Sequence, residues 1–236
     1  MGKYDTNPVR IPVDAGDLAL PGDLTLSGSG AGLVIFAHGS GSSRLSPRNR
    51  AVAASLAQAG LATLLFDLLT EPEAADRANV FDIPLLAARV ADAVDWALGE
   101  PRLAHLKIGL FGSSTGAAAA LVAAAERQDT VRAVVSRGGR PDLAANALTR
   151  VSAPTLLIVG GADYGVIDLN QAAHDRLKCE KRLEIVPGAT HLFEEPGTLE
   201  AVMGLADDWF TSHLSERGCT RPHTLALGHP NAERFR

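Results

Sequence analysis

Short apolar, β-branched runs alternate along the chain with longer stretches in which apolar residues recur every three or four positions. Runs of the first kind, bounded by Gly, Pro or Ser, fit buried strands, and stretches of the second kind fit helices. Strands are therefore expected over 9–13, 18–26 (broken by Pro21-Gly22), 33–37, 62–66, 106–111, 131–135, 155–159 and 183–186. Helices are expected over 50–59, 83–98, 115–127 and 169–177, with a short one near 143–148. Within 83–98, Leu86, Val90, Val94 and Leu98 repeat at i, i+4 and predict one buried stripe. A closing helix places Leu199, Val202, Met203, Ala206, Trp209, Phe210 and His213 on one face, with Thr198 positioned to cap it. The stretch 69–79 reads as a polar, acidic loop. This alternation predicts an α/β domain over 1–215, a mostly parallel central sheet with helices on both faces. The pattern then fades into a polar tail over 216–236.

Composition narrows the function classes. Of 236 residues, 46% are apolar and 21% charged, enough apolar surface for a packed core and against disorder as the main state. The net charge of −5 argues against a nucleic-acid partner. The longest apolar run, 117–125, is far short of the ~20 residues that span a bilayer, so no membrane partner is expected. Cys179 and Cys219 allow at most one disulfide and no Cys-based zinc site. With no His-Glu-x-x-His either, neither a metal nor an organic cofactor is expected. The N-terminus lacks the apolar region of a signal peptide, and a cytoplasmic location is expected. Gly2 with Thr6 fits a loose myristoylation pattern that chance often produces. The glycines of 28–32 precede a strand instead of following one, so they make no dinucleotide fingerprint.

The candidate chemistry lies where predicted strands end. Gly112-Ser113-Ser114-Thr115-Gly116 is G-x-S-x-G between a buried strand and an Ala-rich helix, the setting of a nucleophile elbow. Ser114 is the candidate nucleophile. A serine hydroxyl needs a base, and the base an orienting acid, in the chain order Ser, acid, His on this fold. Asp163 follows the strand 155–159 and His191 follows 183–186, so all three reach one sheet edge. Asp168 is a rival acid that sits better as an N-cap of the following helix. An oxyanion hole is expected from the backbone N–H groups of Thr115 and of Ser40, in the loop His38-Gly39-Ser40-Gly41.

These residues give a resemblance. The loop from His38, the elbow at Ser114, Gly161-Ala162-Asp163 and Gly188-Ala189-Thr190-His191-Leu192-Phe193 resemble the α/β-hydrolase superfamily, and within it the dienelactone hydrolase-like family, from about Val9 to Leu214. The stretches 38–50 and 136–140 are similar to a bacterial branch associated with phosphoribosyltransferase fusions, although no transferase domain is expected among these residues. The resemblance implies an α/β-hydrolase fold and an acyl-enzyme mechanism. The founding dienelactone hydrolases carry a cysteine in the elbow and an acid in the oxyanion loop. This chain has Ser114, and 38–50 holds no Asp or Glu. The expectation is therefore a serine hydrolase acting on a small ester, with thioester or lactone cleavage as alternatives and a ligand sensor as the non-enzyme alternative. About twenty residues separate 131–135 from Thr155, too few for a cap domain.

Arg44, Arg137 and Arg140 are expected on loops at the same edge. They could bind a carboxylate or phosphate, making the substrate an anionic ester, or pair structurally with Asp67, Asp142 or loop glutamates.

Overall fold

The computed structural model describes residues 6–27, 30 and 32–215. The Gly2 pattern, most of the 28–32 glycine stretch, Cys219 and the tail 216–236 lie outside them. Among the described residues, eight strands form one sheet in the order β1-β2-β4-β3-β5-β6-β7-β8. They are β1 (Thr6–Val13), β2 (Leu18–Thr25), β3 (Leu33–Ala37), β4 (Ala62–Phe66), β5 (Ile108–Ser113), β6 (Val131–Arg137), β7 (Thr155–Gly160) and β8 (Lys181–Val186). From β4 to β8 all neighbours are parallel; β2 is antiparallel to both β1 and β4. The order reverses between β3 and β5, which opens a crevice at the carboxyl ends of those two strands, where doubly wound sheets take ligands.

Both faces are covered. Helices α1 (Pro47–Gln58) and α7 (Thr198–Leu214) close one core, in which Val52, Leu56, Val202 and Phe210 pack on Val34, Phe36 and Phe111. Phe36 and Phe111, register partners on β3 and β5, stack with centroids 4.9 Å apart. Helices α4 (Ile83–Gly99), α5 (Thr115–Glu126) and α6 (Tyr164–Arg176) lie against the other core, around Ile35, Leu64, Leu110 and Leu157. Between β6 and β7 the chain forms only a 3₁₀ segment, Pro141–Arg150, kinked at Ala145 (φ 46°).

Several expected boundaries move, each for a local reason. β2 runs unbroken through Pro21-Gly22, because its ladder with β4 begins only at Gly22 and Pro21 has no β4 partner. Ser46 caps α1 and Pro47 opens it, three residues before the expected start. The polar stretch 69–79 is not a loop: it holds α2 (Glu71–Ala75) and α3 (Arg77–Val80). Thr70 and Glu73 form a capping box that starts α2. In α4, Leu86, Val90 and Val94 are buried but Leu98 is exposed, because steps of four residues drift off a 3.6-residue stripe. α6 begins at Tyr164, so Asp168 lies inside the helix and exposed, and Asp163 holds the N-cap position. Thr198 is the first residue of α7, not its cap; Gly197 precedes it at φ 81° and Thr198 Oγ1 donates to the Glu195 carbonyl.

Candidate active site

Ser114 sits between β5 and α5 with φ 51° and ψ −123°, a conformation L-residues rarely adopt. Strain of this kind persists only where the surroundings leave no alternative, and here they do not. A β-carbon on Gly116 would lie 2.2 Å from the Ala37 carbonyl oxygen, and one on Gly112 would lie 2.4 Å from Ala117 Cα. The G-x-S-x-G spacing is thus dictated by backbone packing on both sides of the serine. The Ser114 carbonyl accepts from Arg140 N–H at 3.0 Å, tying the elbow to the segment after β6.

Asp163 and His191 leave the ends of the paired strands β7 and β8, where Gly160 is register partner to Val186. The two loops are joined directly: Gly161 N–H donates to the Val186 carbonyl at 2.8 Å and Ala162 N–H to the Ala189 carbonyl at 2.9 Å. This brings His191 Nδ1 to 2.7 Å from Asp163 Oδ2. The carboxylate side chain is 16% exposed and the imidazole 37%. Thr190 braces the loop, donating from its N–H and hydroxyl to the two Glu195 oxygens, and these bonds hold the Glu195 carboxyl below the usual carboxylate range. The end of β6 bridges histidine and serine. A β-carbon on Gly138 would lie 3.7 Å from His191 Nδ1, two residues before the N–H that Arg140 gives to Ser114. No hydrogen bond joins Ser114 Oγ to His191 in this arrangement; such bonds often close only around substrate.

The loop after β3 touches the elbow, since a β-carbon on Gly39 would lie 2.9 Å from Ser114 Cβ. Ser40 N–H points at the elbow and donates to Thr115 Oγ1 at 2.9 Å. His38 fixes this loop. Its Nε2 accepts from Leu68 N–H at 3.0 Å, so its proton is on Nδ1, which donates to the Gly39 carbonyl at 3.0 Å. Burial lowers the His38 pKa and keeps the ring neutral.

The three arginines separate. Arg44 is held structurally: its N–H donates to Asp67 Oδ1 at 2.7 Å, its guanidinium pairs with Asp67 Oδ2 at 2.5 Å and approaches Asp23 at 3.8 Å. Arg140 makes a bidentate pair with Asp142, at 2.9 and 2.8 Å. Arg137 is the last residue of β6 and buried, contrary to its expected loop position. It donates to Asn49 Oδ1 at 3.1 Å and lies 5.8 Å from the Phe193 ring. Burial and the nearby Arg48 push its pKa down to about 10. Arg44 and Arg140 thus each hold a carboxylate partner in this structure.

The sequence reading placed His38 in the oxyanion loop without its positioning role, and it missed Asn49, Glu195 and Asn170, whose buried amide donates to the Gly139 carbonyl at 3.1 Å. The partner of Asn49 lies 88 residues away and that of Asn170 31 residues away, and no local pattern marks those two. A cavity of about 370 Å³ opens beside Gly39 and Ser40 and runs beneath α2 and α3.

The model of the Dienelactone hydrolase family matches residues 27–203. A crystal structure of dienelactone hydrolase from Anabaena variabilis is 56% identical, with a TM-score of 0.87, over 90% of this chain and all of that one. Est1E from Butyrivibrio proteoclasticus shares the fold at 18% identity and a TM-score of 0.72, over 86% of this chain and 97% of its own. A Mycobacterium tuberculosis protein with a provisional phosphoribosyl transferase name is 59% identical over 209 residues. Those residues are 89% of this chain but 47% of that protein, so the chain spans about half the length of the curated relatives it matches.

Proposed function

The chain belongs to the dienelactone hydrolase family, and from that premise we propose that it hydrolyses carboxylic esters of small molecules through an acyl-enzyme on Ser114. The observation that carries the reading is the 2.7 Å Asp163–His191 bond formed at the same sheet edge as a strained Ser114. With Nδ1 committed to Asp163, His191 has Nε2 left to accept the Ser114 proton. Ser114 Oγ attacks the ester carbonyl carbon, and the carbonyl π pair moves onto oxygen. Thr115 N–H, at the positive end of α5, and Ser40 N–H receive that oxyanion. Ser40 N–H is released for this by rotation of the Thr115 hydroxyl that now accepts from it. The tetrahedral intermediate collapses, and the alcohol leaves with the proton from His191. Water, deprotonated by the same imidazole, then cleaves the acyl-enzyme.

Thioester cleavage uses the same groups and differs only in the leaving atom. The transferase name of the mycobacterial relatives belongs to chains about twice as long and is not carried over. The test is labelling with a fluorophosphonate alongside p-nitrophenyl acetate hydrolysis. Wild type should be labelled and turn over, and Ser114→Ala should do neither. Labelling that persists in Ser114→Ala would remove Ser114 as nucleophile, and a wild type that neither labels nor turns over would leave the sensor reading.

A further inference from the structure

The cavity beside the elbow carries information on substrate. Its apolar lining is Leu68, Leu69 and Leu86, which are buried, with the half-buried Val80 and the exposed Ala74 of α3 and α2 toward the surface. At about 370 Å³ it is at the small end of ligand sites, sized for one short chain or ring. It meets the reacting centre through Gly39, which contacts Ser114, and through Ser40. Its charged lining is acidic only: Asp67 and Glu71, with no lysine or arginine. Asp67 is neutralised by Arg44. Glu71 is exposed and makes no ion pair among the described residues.

From this we infer that the cavity receives an uncharged, apolar arm of the ester, and that the site selects neutral substrates over anionic ones. The inference rests on the ester-hydrolase reading and gives it a substrate class, opposite in sign to the anionic ester expected from the arginines. A terminal carboxylate pushed into this space would lose its hydration against leucine and valine. It would also pass the Glu71 carboxylate, a like charge that penalises the wrong partner. An alkyl arm gains from each methylene buried.

The experiment compares p-nitrophenyl acetate, p-nitrophenyl hexanoate and the mono-p-nitrophenyl ester of adipic acid, whose acyl chain has the hexanoate length and ends in a carboxylate. Methyl and hexyl acetate vary the alcohol arm in parallel. Hexanoate or hexyl acetate should exceed its short counterpart in kcat/KM by at least about tenfold, and hexanoate should exceed the adipate ester by a similar factor. Glu71→Gln should narrow the hexanoate–adipate gap by raising the adipate rate, and added salt should act in the same direction. Ala74→Trp, which fills the cavity, should lower the long-to-short ratio. Val80→Phe fills the same space if the first variant does not fold. An adipate ester cleaved as well as hexanoate overturns the inference, as does a long-to-short ratio that cavity filling leaves unchanged in both series. Acetate hydrolysis and Ser114 labelling separate these failures from a failure of the hydrolase reading itself.

Discussion

At the scale of single residues the site divides into groups that react and groups that hold them. Ser114→Ala should reduce ester turnover by orders of magnitude and leave the thermal midpoint nearly unchanged, because the hydroxyl makes no hydrogen bond that the fold depends on. Circular dichroism melts beside initial rates check both halves of that statement. His38 gives a pH prediction. Its folded pKa lies below the ordinary 6.5, so the unfolded chain binds its proton first as pH falls. Stability from this group is therefore complete above about 6.5 and is lost as pH drops below it. Protonation would also remove the acceptor that holds Leu68 N–H and loosen the loop bearing Ser40. Thermal midpoints from pH 7.5 to 5.5 should fall in wild type and fall less steeply in His38→Gln; parallel slopes would assign the acid loss to other groups. The reacting residues were legible in the sequence because G-x-S-x-G and the strand-end Asp and His are local patterns. His38, Asn49 and Asn170 were not, because each earns its role from a backbone or side-chain partner that only the folded chain supplies.

At the scale of elements, the difference between the expected loop at 69–79 and the observed α2–α3 pair decides what the site can bind. Charged residues that made this stretch read as a loop, Glu73 above all, are ones that organise it. Glu73 closes the capping box with Thr70 and pairs with Arg89 of α4 at 2.9 Å. Arg89 is almost fully buried and also reaches Asp14, after β1, at 2.7 Å. One guanidinium thus pins the cavity roof and the β1–β2 turn to α4. Arg89→Met should cost about 1–3 kcal/mol, below the loss for a fully buried pair because both freed carboxylates can reach water. Hydrogen exchange over 69–82 should rise in that variant more than exchange in the β5–α5 region; uniform protection changes would make Arg89 a general core residue. Strand ends tell the same story. β6 extends to Arg137, past the apolar run 131–135, because pairing with β5 and β7 continues to Arg137. Hydrophobicity marks where a strand is buried, and hydrogen bonding decides where it stops.

At the scale of the whole molecule, the eight-stranded sheet and its two helical layers follow the alternation of the sequence closely, since period and length are averaged over many residues. The segment between β6 and β7 is the place where a cap could enter, and the structure shows what fills it. The 3₁₀ stretch Pro141–Arg150 packs against α5 and α6, on the flank of the sheet and not across its carboxyl edge. Among the described residues, the helices beside the cavity are α4, which packs on the sheet, and the short α2 and α3, of five and four residues, tied down through Glu73. Among the described residues, no large apolar lid lies over the site to open at an oil–water interface. The rate on a short-chain triglyceride should therefore rise smoothly with concentration and level off at the solubility limit. A sharp increase on crossing that limit, measured by titrating released acid at constant pH, would show that an element of this molecule does move off the site. α2–α3 would then be the segment to fix in place, with a cysteine pair joining it to α4, to see whether the increase disappears.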